Sequence, residues 1–229
     1  MSQYAYRRIT ESNVLLPADI RQTSDDLVVT YTTSRAVGPQ NLGNVIAQFG
    51  AKSPSHVVLT SVEGDYGPPS IAQAGDTMWI AHTSYANGKR SILIHAVQDR
   101  RCIGTATLAK AGKIDNPQIA FHDGAVHAVW EDYGPGDARV VHQTLDPQAL
   151  TVHESANPIT DPKAYKPQLL SDGNHLYLAY EHYESGRYRM MVRGWIPHGA
   201  TFSEPVEIGF EAGNRSEEHT SELQSLLII

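Results

Sequence analysis

One segment recurs along this chain, and the recurrence limits the fold more than any other feature. Pro69-Ser-Ile-Ala-Gln-Ala-Gly-Asp-Thr-Met-Trp-Ile-Ala-His82 is the first clear copy. Pro117-Gln-Ile-Ala-Phe-His-Asp-Gly-Ala-Val-His-Ala-Val-Trp130 is the second. Pro167-Gln-Leu-Leu-Ser-Asp-Gly-Asn-His-Leu-Tyr-Leu-Ala-Tyr180 is the third. Each runs thirteen residues from its proline to a terminal ring, and the prolines lie 48 (69 to 117) and 50 (117 to 167) apart. A weaker copy starts at Pro17 and ends in Leu27-Val-Val-Thr-Tyr31.

Every copy reads as strand. Two alternating apolar stretches flank an Asx or Gly turn: Ser24-Asp25-Asp26, Ala74-Gly75-Asp76, His122-Asp123-Gly124 and Ser171-Asp172-Gly173. Such turns between short β-branched and aromatic runs mark hairpins. A third strand is expected at Asn44–Phe49, Ser91–Val97, Ala138–Leu145 and Tyr188–Trp195. A fourth is expected at His56–Ser61, Cys102–Leu108, Leu150–Glu154 and Pro205–Ile208. Four strands in a repeat of 40–50 residues is the pattern of a β-propeller blade. One four-stranded sheet cannot cover both its faces, whereas stacked blades bury them. The expected fold is therefore all-β, a propeller fragment of about four four-stranded blades near 17–61, 69–108, 117–154 and 167–208. An open arc of a larger propeller is preferred to a closed four-blade ring or a two-sheet sandwich. Ile71, Ile119 and Leu169 should pack between blades, and so should Trp79, His127 and Tyr177.

Composition excludes several classes. No apolar run approaches the roughly 18–20 residues of a membrane span. Net charge is −7, against a nucleic-acid partner. Cys102 is the single cysteine, so an internal disulfide and a Cys-based zinc site are excluded. No secretion signal follows Met1, which would place the protein in the cytoplasm if Met1 is the true start. Residues 215–225, Arg-Ser-Glu-Glu-His-Thr-Ser-Glu-Leu-Gln-Ser, resemble a translated sequencing adapter. Residues 215–229 are accordingly read as an artefact and 1–214 as the partial propeller; a polar C-terminal helix is the alternative.

The pattern Pro-x-Ile-Ala-x-x-x-Gly…Val-Ala-Trp resembles the BNR-repeat, sialidase-like propeller superfamily over Pro17 to about Ile208. Its Asp-box, Ser-x-Asp-x-Gly-x-x-Trp, does not occur here. The resemblance implies the architecture, and a ligand face carrying the loops into the first strand and out of the second. At that rim lie His82-Thr-Ser-Tyr85, Trp130-Glu-Asp-Tyr133 and Tyr180-Glu-His-Tyr183. Loops into the first strands add Asp65, Tyr66, Asp115, Asn116, Lys163, Tyr165 and Lys166.

Rings, carboxylates, imidazoles and arginines together suit a polyhydroxylated or acidic glycan, or another small ligand. His82, Tyr85, Trp130, Tyr133, Arg90, Arg139 and Arg187 are the substrate-binding candidates. His182 and Tyr183, with Arg139, would serve a lyase-type proton abstraction. A hydrolase needs two placed carboxylates, and Glu131, Asp132 and Glu181 are the candidates. The expected function is a glycoside hydrolase or polysaccharide lyase, with a non-catalytic glycan- or protein-binding propeller as the alternative. His95 and His142 occupy matching third-strand positions and read as packing residues. No cofactor motif or metal spacing is present, so neither is expected. The sequence leaves oligomeric state open.

Overall fold

The computed structural model describes residues 19–22, 27–38, 40–50, 54–134, 136–152 and 157–209. The adapter-like tail and the Ser24-Asp25-Asp26 turn lie outside them. The described residues form four successive antiparallel sheets, one per repeat.

Blade 1 contains β1 (Asp19–Gln22), β2 (Leu27–Thr32), β3 (Arg35–Val37), β4 (Gln40–Leu42), β5 (Val45–Phe49) and β6 (Ser55–Val58). Its sheet order is β1-β2-β5-β6, and β3 and β4 form a separate hairpin. Blade 2 contains β7 (Asp65–Tyr66), β8 (Ser70–Ala74), β9 (Thr77–Ala86), β10 (Lys89–Gln98) and β11 (Arg101–Ala111). Blade 3 contains β12 (Ile114–His122), β13 (Ala125–Asp132), β14 (Arg139–Asp146), β15 (Thr151–Val152) and β16 (Asn157–Pro158). Blade 4 contains β17 (Ala164–Ser171), β18 (Leu176–Glu184), β19 (Arg187–Ile196), β20 (Thr201–Phe202) and β21 (Val206–Ile208), with a 3-10 turn at Pro197–Gly199. Each blade is a meander whose fourth strand falls where the repeat predicts it; short fifth pieces extend blades 2, 3 and 4. No helix among the described residues is long and apolar enough to cross a membrane.

Tight turns hold the meanders. Asn87 and Gly88 both have positive φ (53° and 70°), as do Asp123 and Gly124 (48° and 79°). Two consecutive left-handed residues give the turn whose twist matches paired strands, which explains the Asx-Gly and Asn-Gly pairs.

The strand period of two decides which residue meets which blade. Met78 and Ile80 point from β9 toward blade 1, in a cluster with Val28, Val45, Ala47 and Ile71. Trp79 and Ala81 point the other way, packing with Ile119, Val126, Ala128 and Trp130 of blade 3. Val129 of β13 continues the alternation toward Leu169, Leu176, Leu178 and Tyr180 of blade 4. Ile71, Ile119 and Leu169 thus each face the preceding blade. Burying side chains of this size contributes about 1.5–3 kcal/mol each, so the inter-blade layers carry the fold.

The arc is open at blade 4. Trp79 is 1% exposed and His127 2%, but Tyr177 at the same register position is 39% exposed. Strand β18 alternates between buried residues facing blade 3 and more exposed ones facing away. Strands β9 and β13 are buried on both faces.

Candidate functional site

Two of the leading strands break their ladder in the same place. The register of β12 slips between Asp115 and Gln118, and that of β17 between Tyr165 and Gln168. A proline follows at once in each case, Pro117 and Pro167, and supplies no N–H to the ladder. The residue before it is left-handed: Asn116 at φ 51° and Lys166 at φ 49°. These are β-bulges, which bend a strand and re-aim its side chains.

The bulge of blade 3 presents Asp115 to blade 2. Its Oδ1 accepts from Thr83 Oγ1 (3.0 Å) and the Asn116 N–H (2.9 Å). Its Oδ2 accepts from Tyr85 OH (2.8 Å) and Arg90 Nη1 (3.0 Å). The Arg90 guanidinium also lies 4.7 Å from the centre of the Tyr85 ring. Four donors fill the lone-pair sites of one carboxylate. Asp115 is therefore a fixed acceptor, oriented from two blades.

Glu131, opposite Asp115 in the same blade, repeats the arrangement toward blade 4. It is 1% exposed. Oε2 accepts from Asn116 Nδ2 (2.9 Å) and Tyr133 OH (2.5 Å), and Oε1 from the Lys166 N–H (2.6 Å). Asn116 thus joins the two carboxylates, and the network runs unbroken from Arg90 in blade 2 to Lys166 in blade 4. Burial and the bond to Asp115 raise the Tyr85 phenol well above its ordinary range. Burial and Glu131 do the same to Tyr133.

Asp65 stands beside this network. Burial raises its carboxyl above the usual carboxylate range. Arg90 opposes that rise and the charge of Asp115 adds to it. Asp65 also lines a broad open cleft of about 1000 Å³ between blades 1 and 2. One wall holds Leu42 and residues 59–64; Ser84 to Arg90 form the other, with Leu93, His95 and Thr105 in the lining.

The structure disperses the remaining sequence candidates. His82 and Trp130, expected on the rim, lie in the inter-blade core, because the apolar alternation of their strands continues inward to these positions. His82 Nε2 meets His95 Nε2 at 2.9 Å, and His95 Nδ1 meets Thr105 Oγ1 at 2.8 Å. His127 Nδ1 and His142 Nε2 form a second pair at 3.1 Å, against Trp195. His95 and His142 do not hold matching positions. His95 is opposite Ile80 and His142 opposite Val129, one residue out of step within the repeat. Burial lowers His82 and His127 to about 4, and burial with the neighbouring imidazole lowers His95 and His142 to about 3.

Asp132 accepts the Gly134 N–H (2.9 Å) and closes its own turn. Glu181 pairs with Lys166 Nζ at 3.2 Å. Arg139 and Arg187 are exposed, and His182 is partly exposed in β18. Tyr183 packs on Tyr188 with ring centres 5.0 Å apart, and Tyr165 lies 6.1 Å from Tyr188. Tyr188 is 61% exposed, giving blade 4 a ring surface at the rim.

Asp65 and Asp115 are the carboxylates that the sequence places in rim loops but does not mark as catalytic. The signal for Asp115 was its place two residues before the repeat's proline, where a bulge re-aims it.

No family model matches the chain, and no curated protein matches it. Solved structures do. The GH32 β-fructofuranosidase BmSUC1 of Bombyx mori superposes with a TM-score of 0.58 at 12% identity, over 86% of this chain and 50% of that one. A GH43_1 enzyme from Xanthomonas citri gives 0.53 at 10% identity, over 83% of this chain and 73% of that one. A puromycin-hydrolyzing peptidase of Mycobacterium tuberculosis gives 0.53 at 15% identity, over 84% and 31%. This chain spans half the length of the silkworm enzyme. At these identities the likeness establishes the propeller architecture, and that architecture carries more than one chemistry.

Proposed function

We propose that the chain carries the glycan-binding face of a glycoside hydrolase acting on a neutral, polyhydroxylated substrate. The observation that carries this reading is the pairing of Asp65 and Asp115 around Arg90 at the edge of the cleft. Two carboxylates in unlike environments divide the acid and electrostatic roles. Asp65, whose carboxyl burial raises above the usual range, is assigned the part of proton donor. Asp115, with its lone pairs filled by four donors, is a fixed negative charge.

In the proposed step the glycosidic C–O bond breaks as Asp65 donates its proton to the leaving oxygen. Positive charge grows at the anomeric carbon and is stabilised by Asp115. A water oxygen then bonds to that carbon and its proton returns to Asp65. Tyr85 and Arg90 keep Asp115 oriented.

The preference for a neutral glycan rests first on the cation beside the two carboxylates being already paired. Arg90 is committed to Asp115, Lys166 to Glu181, and Arg189 to Glu184 and Glu207. Similarity to a β-fructofuranosidase and to a GH43_1 enzyme, the latter also solved with xylotriose, supports a sugar ligand. The BNR, sialidase-like resemblance is taken in this reading as architecture alone.

Asp65→Asn is expected to lower release of reducing ends from neutral glycans by 100-fold or more, the usual share of a general acid. Circular dichroism checks that the variant folds. Full activity in Asp65→Asn refutes the role. A second reading, glycan binding without turnover, is favoured by the exposed ring of Tyr188 and the half-buried rings of Tyr165 and Tyr183 packed against it. Sugar binding by a wild-type chain that hydrolyses none of the glycans would select it.

A further inference from the structure

Blade 1 departs from its sister blades in one respect. Between their second and third strands, blades 2 and 4 make short turns at Asn87-Gly88 and Ser185-Gly186. Blade 1 inserts the β3–β4 hairpin there. The insertion is pinned at its neck. Gly43 and Gly64 exchange backbone hydrogen bonds in both directions (2.8 and 2.9 Å). Thr33 and Asn44 close the base, with the Asn44 N–H donating to Thr33 Oγ1 at 2.7 Å. Thr60 Oγ1 donates to Asn44 Oδ1 at 2.8 Å. Arg35 reaches across to Glu63 at 2.9 Å.

The approach at the neck is very close. A Cβ on Gly43 would lie 1.8 Å from the Thr33 carbonyl oxygen. A Cβ on Gly64 would lie 2.9 Å from the Tyr66 hydroxyl. A segment held this way is a fixed wall: Leu42 of the hairpin and Val62 of the 59–64 segment bonded to its neck both line the cleft that contains Asp65. Val62 is 69% exposed. A cleft of about 1000 Å³ is at the upper end of pockets that hold drug-sized ligands, about 300–1000 Å³. That is more room than one sugar ring fills.

We infer that the β3–β4 hairpin, together with the 59–64 segment bonded to its neck, is a specificity wall, which makes the cleft select an oligosaccharide over a monosaccharide by packing Leu42 and Val62 on a ring distant from the reacting bond. The inference rests on the glycan reading of the site and adds to it the length of the ligand and the residues that measure it. Apolar contact with the ring face discriminates length without a charged partner. The exposed Arg35–Glu63 pair links the hairpin to the 59–64 segment.

The test is calorimetric binding of xylose, arabinose, fructose and glucose, and of neutral trisaccharides built from each, to the full chain. Two variants accompany it. One replaces residues 35–42 by Asn-Gly; the other is Val62→Arg, whose exposed position adds no folding cost. Wild type is expected to bind its best trisaccharide at least tenfold tighter than the matching monosaccharide. Both variants are expected to lose that ratio while monosaccharide affinity stays within twofold. A trisaccharide affinity unchanged in Val62→Arg overturns the wall and leaves the glycan reading standing. Wild type binding none of the sugars overturns the glycan reading, and the wall with it.

Discussion

Acidification from pH 7 to pH 5 should destabilise this fold sharply, and the two buried histidine pairs set the magnitude. Each pair is closed by a nitrogen-to-nitrogen hydrogen bond, which needs one N–H and one bare ring nitrogen. Burial keeps all four rings neutral, with His82 and His127 lowered to about 4 and His95 and His142 to about 3. In the unfolded chain each titrates near 6.5. The folded values are the lower ones, so between pH 6.5 and about 4 the unfolded state binds more protons. The stability from these rings is complete above pH 6.5 and falls as pH drops through that window. At pH 5 the loss is about 2 kcal/mol per histidine, from 1.5 pH units at about 1.4 kcal/mol each. Four rings give about 8 kcal/mol, which rivals the whole stability of an ordinary domain, about 5–15 kcal/mol. Urea titrations at pH 8, 7, 6 and 5 measure the slope. His82→Asn with His95→Gln retains a polar contact without titrating and should flatten the slope by up to two protons. NMR titration of the wild-type imidazoles provides a second measurement if that variant is unstable. Equal stability at pH 7 and pH 5, or folded imidazoles titrating near 6.5, would refute the argument.

Other consequences follow from single contacts. Gly43→Ala should cost at least about 2 kcal/mol, since its Cβ meets backbone oxygen that cannot move aside; thermal melting reads this directly. The rate of glycan hydrolysis should fall as pH rises through the elevated pKa of Asp65, because the proton donor is then lost. Asp65→Asn should remove that limb of the kcat/KM profile. Tyr188→Ala should weaken sugar binding at the blade 4 rim by about 0.5–1.5 kcal/mol while leaving stability nearly unchanged, as the ring is largely exposed.

The fold was legible because a repeated proline, turn and ring can be aligned by eye. The alternation within each copy then says which side chains enter the core. The site was less legible for a physical reason. Trp130 and His82 end their repeats with rings, which read as rim chemistry, but the inward alternation does not stop where the sequence motif stops. Asp115 looks like a loop residue until the bulge turns it, and a bulge depends on how Pro117 breaks the ladder beside β13. Asp65 owes its raised pKa first to burial; Arg90 opposes that rise and Asp115 adds to it, from about 25 and 50 residues away in the chain. Spacing within one repeat carries no trace of such neighbours.

The repeat also shows that context, more than residue type, sets what a site residue does. Thr32, Thr83, Glu131 and Glu181 hold one register position in four successive blades. Each of the first three makes a bond into the next blade: Thr32 Oγ1 to the Gly67 carbonyl (3.1 Å), Thr83 Oγ1 to Asp115, and Glu131 from the Lys166 N–H. Glu181 faces the open side and meets the Lys166 ammonium, itself largely exposed. Alanine in place of Glu131 strands Asn116 Nδ2, Tyr133 OH and the Lys166 N–H, and a stranded buried donor costs about 1–3 kcal/mol. With partial relaxation the expected loss is about 3 kcal/mol or more. Alanine in place of Glu181 removes a pair with a solvated partner, worth about 0–1 kcal/mol. Urea midpoints for Glu131→Ala and Glu181→Ala make the comparison at one pH and one salt concentration. Equal losses would mean that Glu181 is engaged as fully as Glu131, and the view of blade 4 as the open end of the arc would fall.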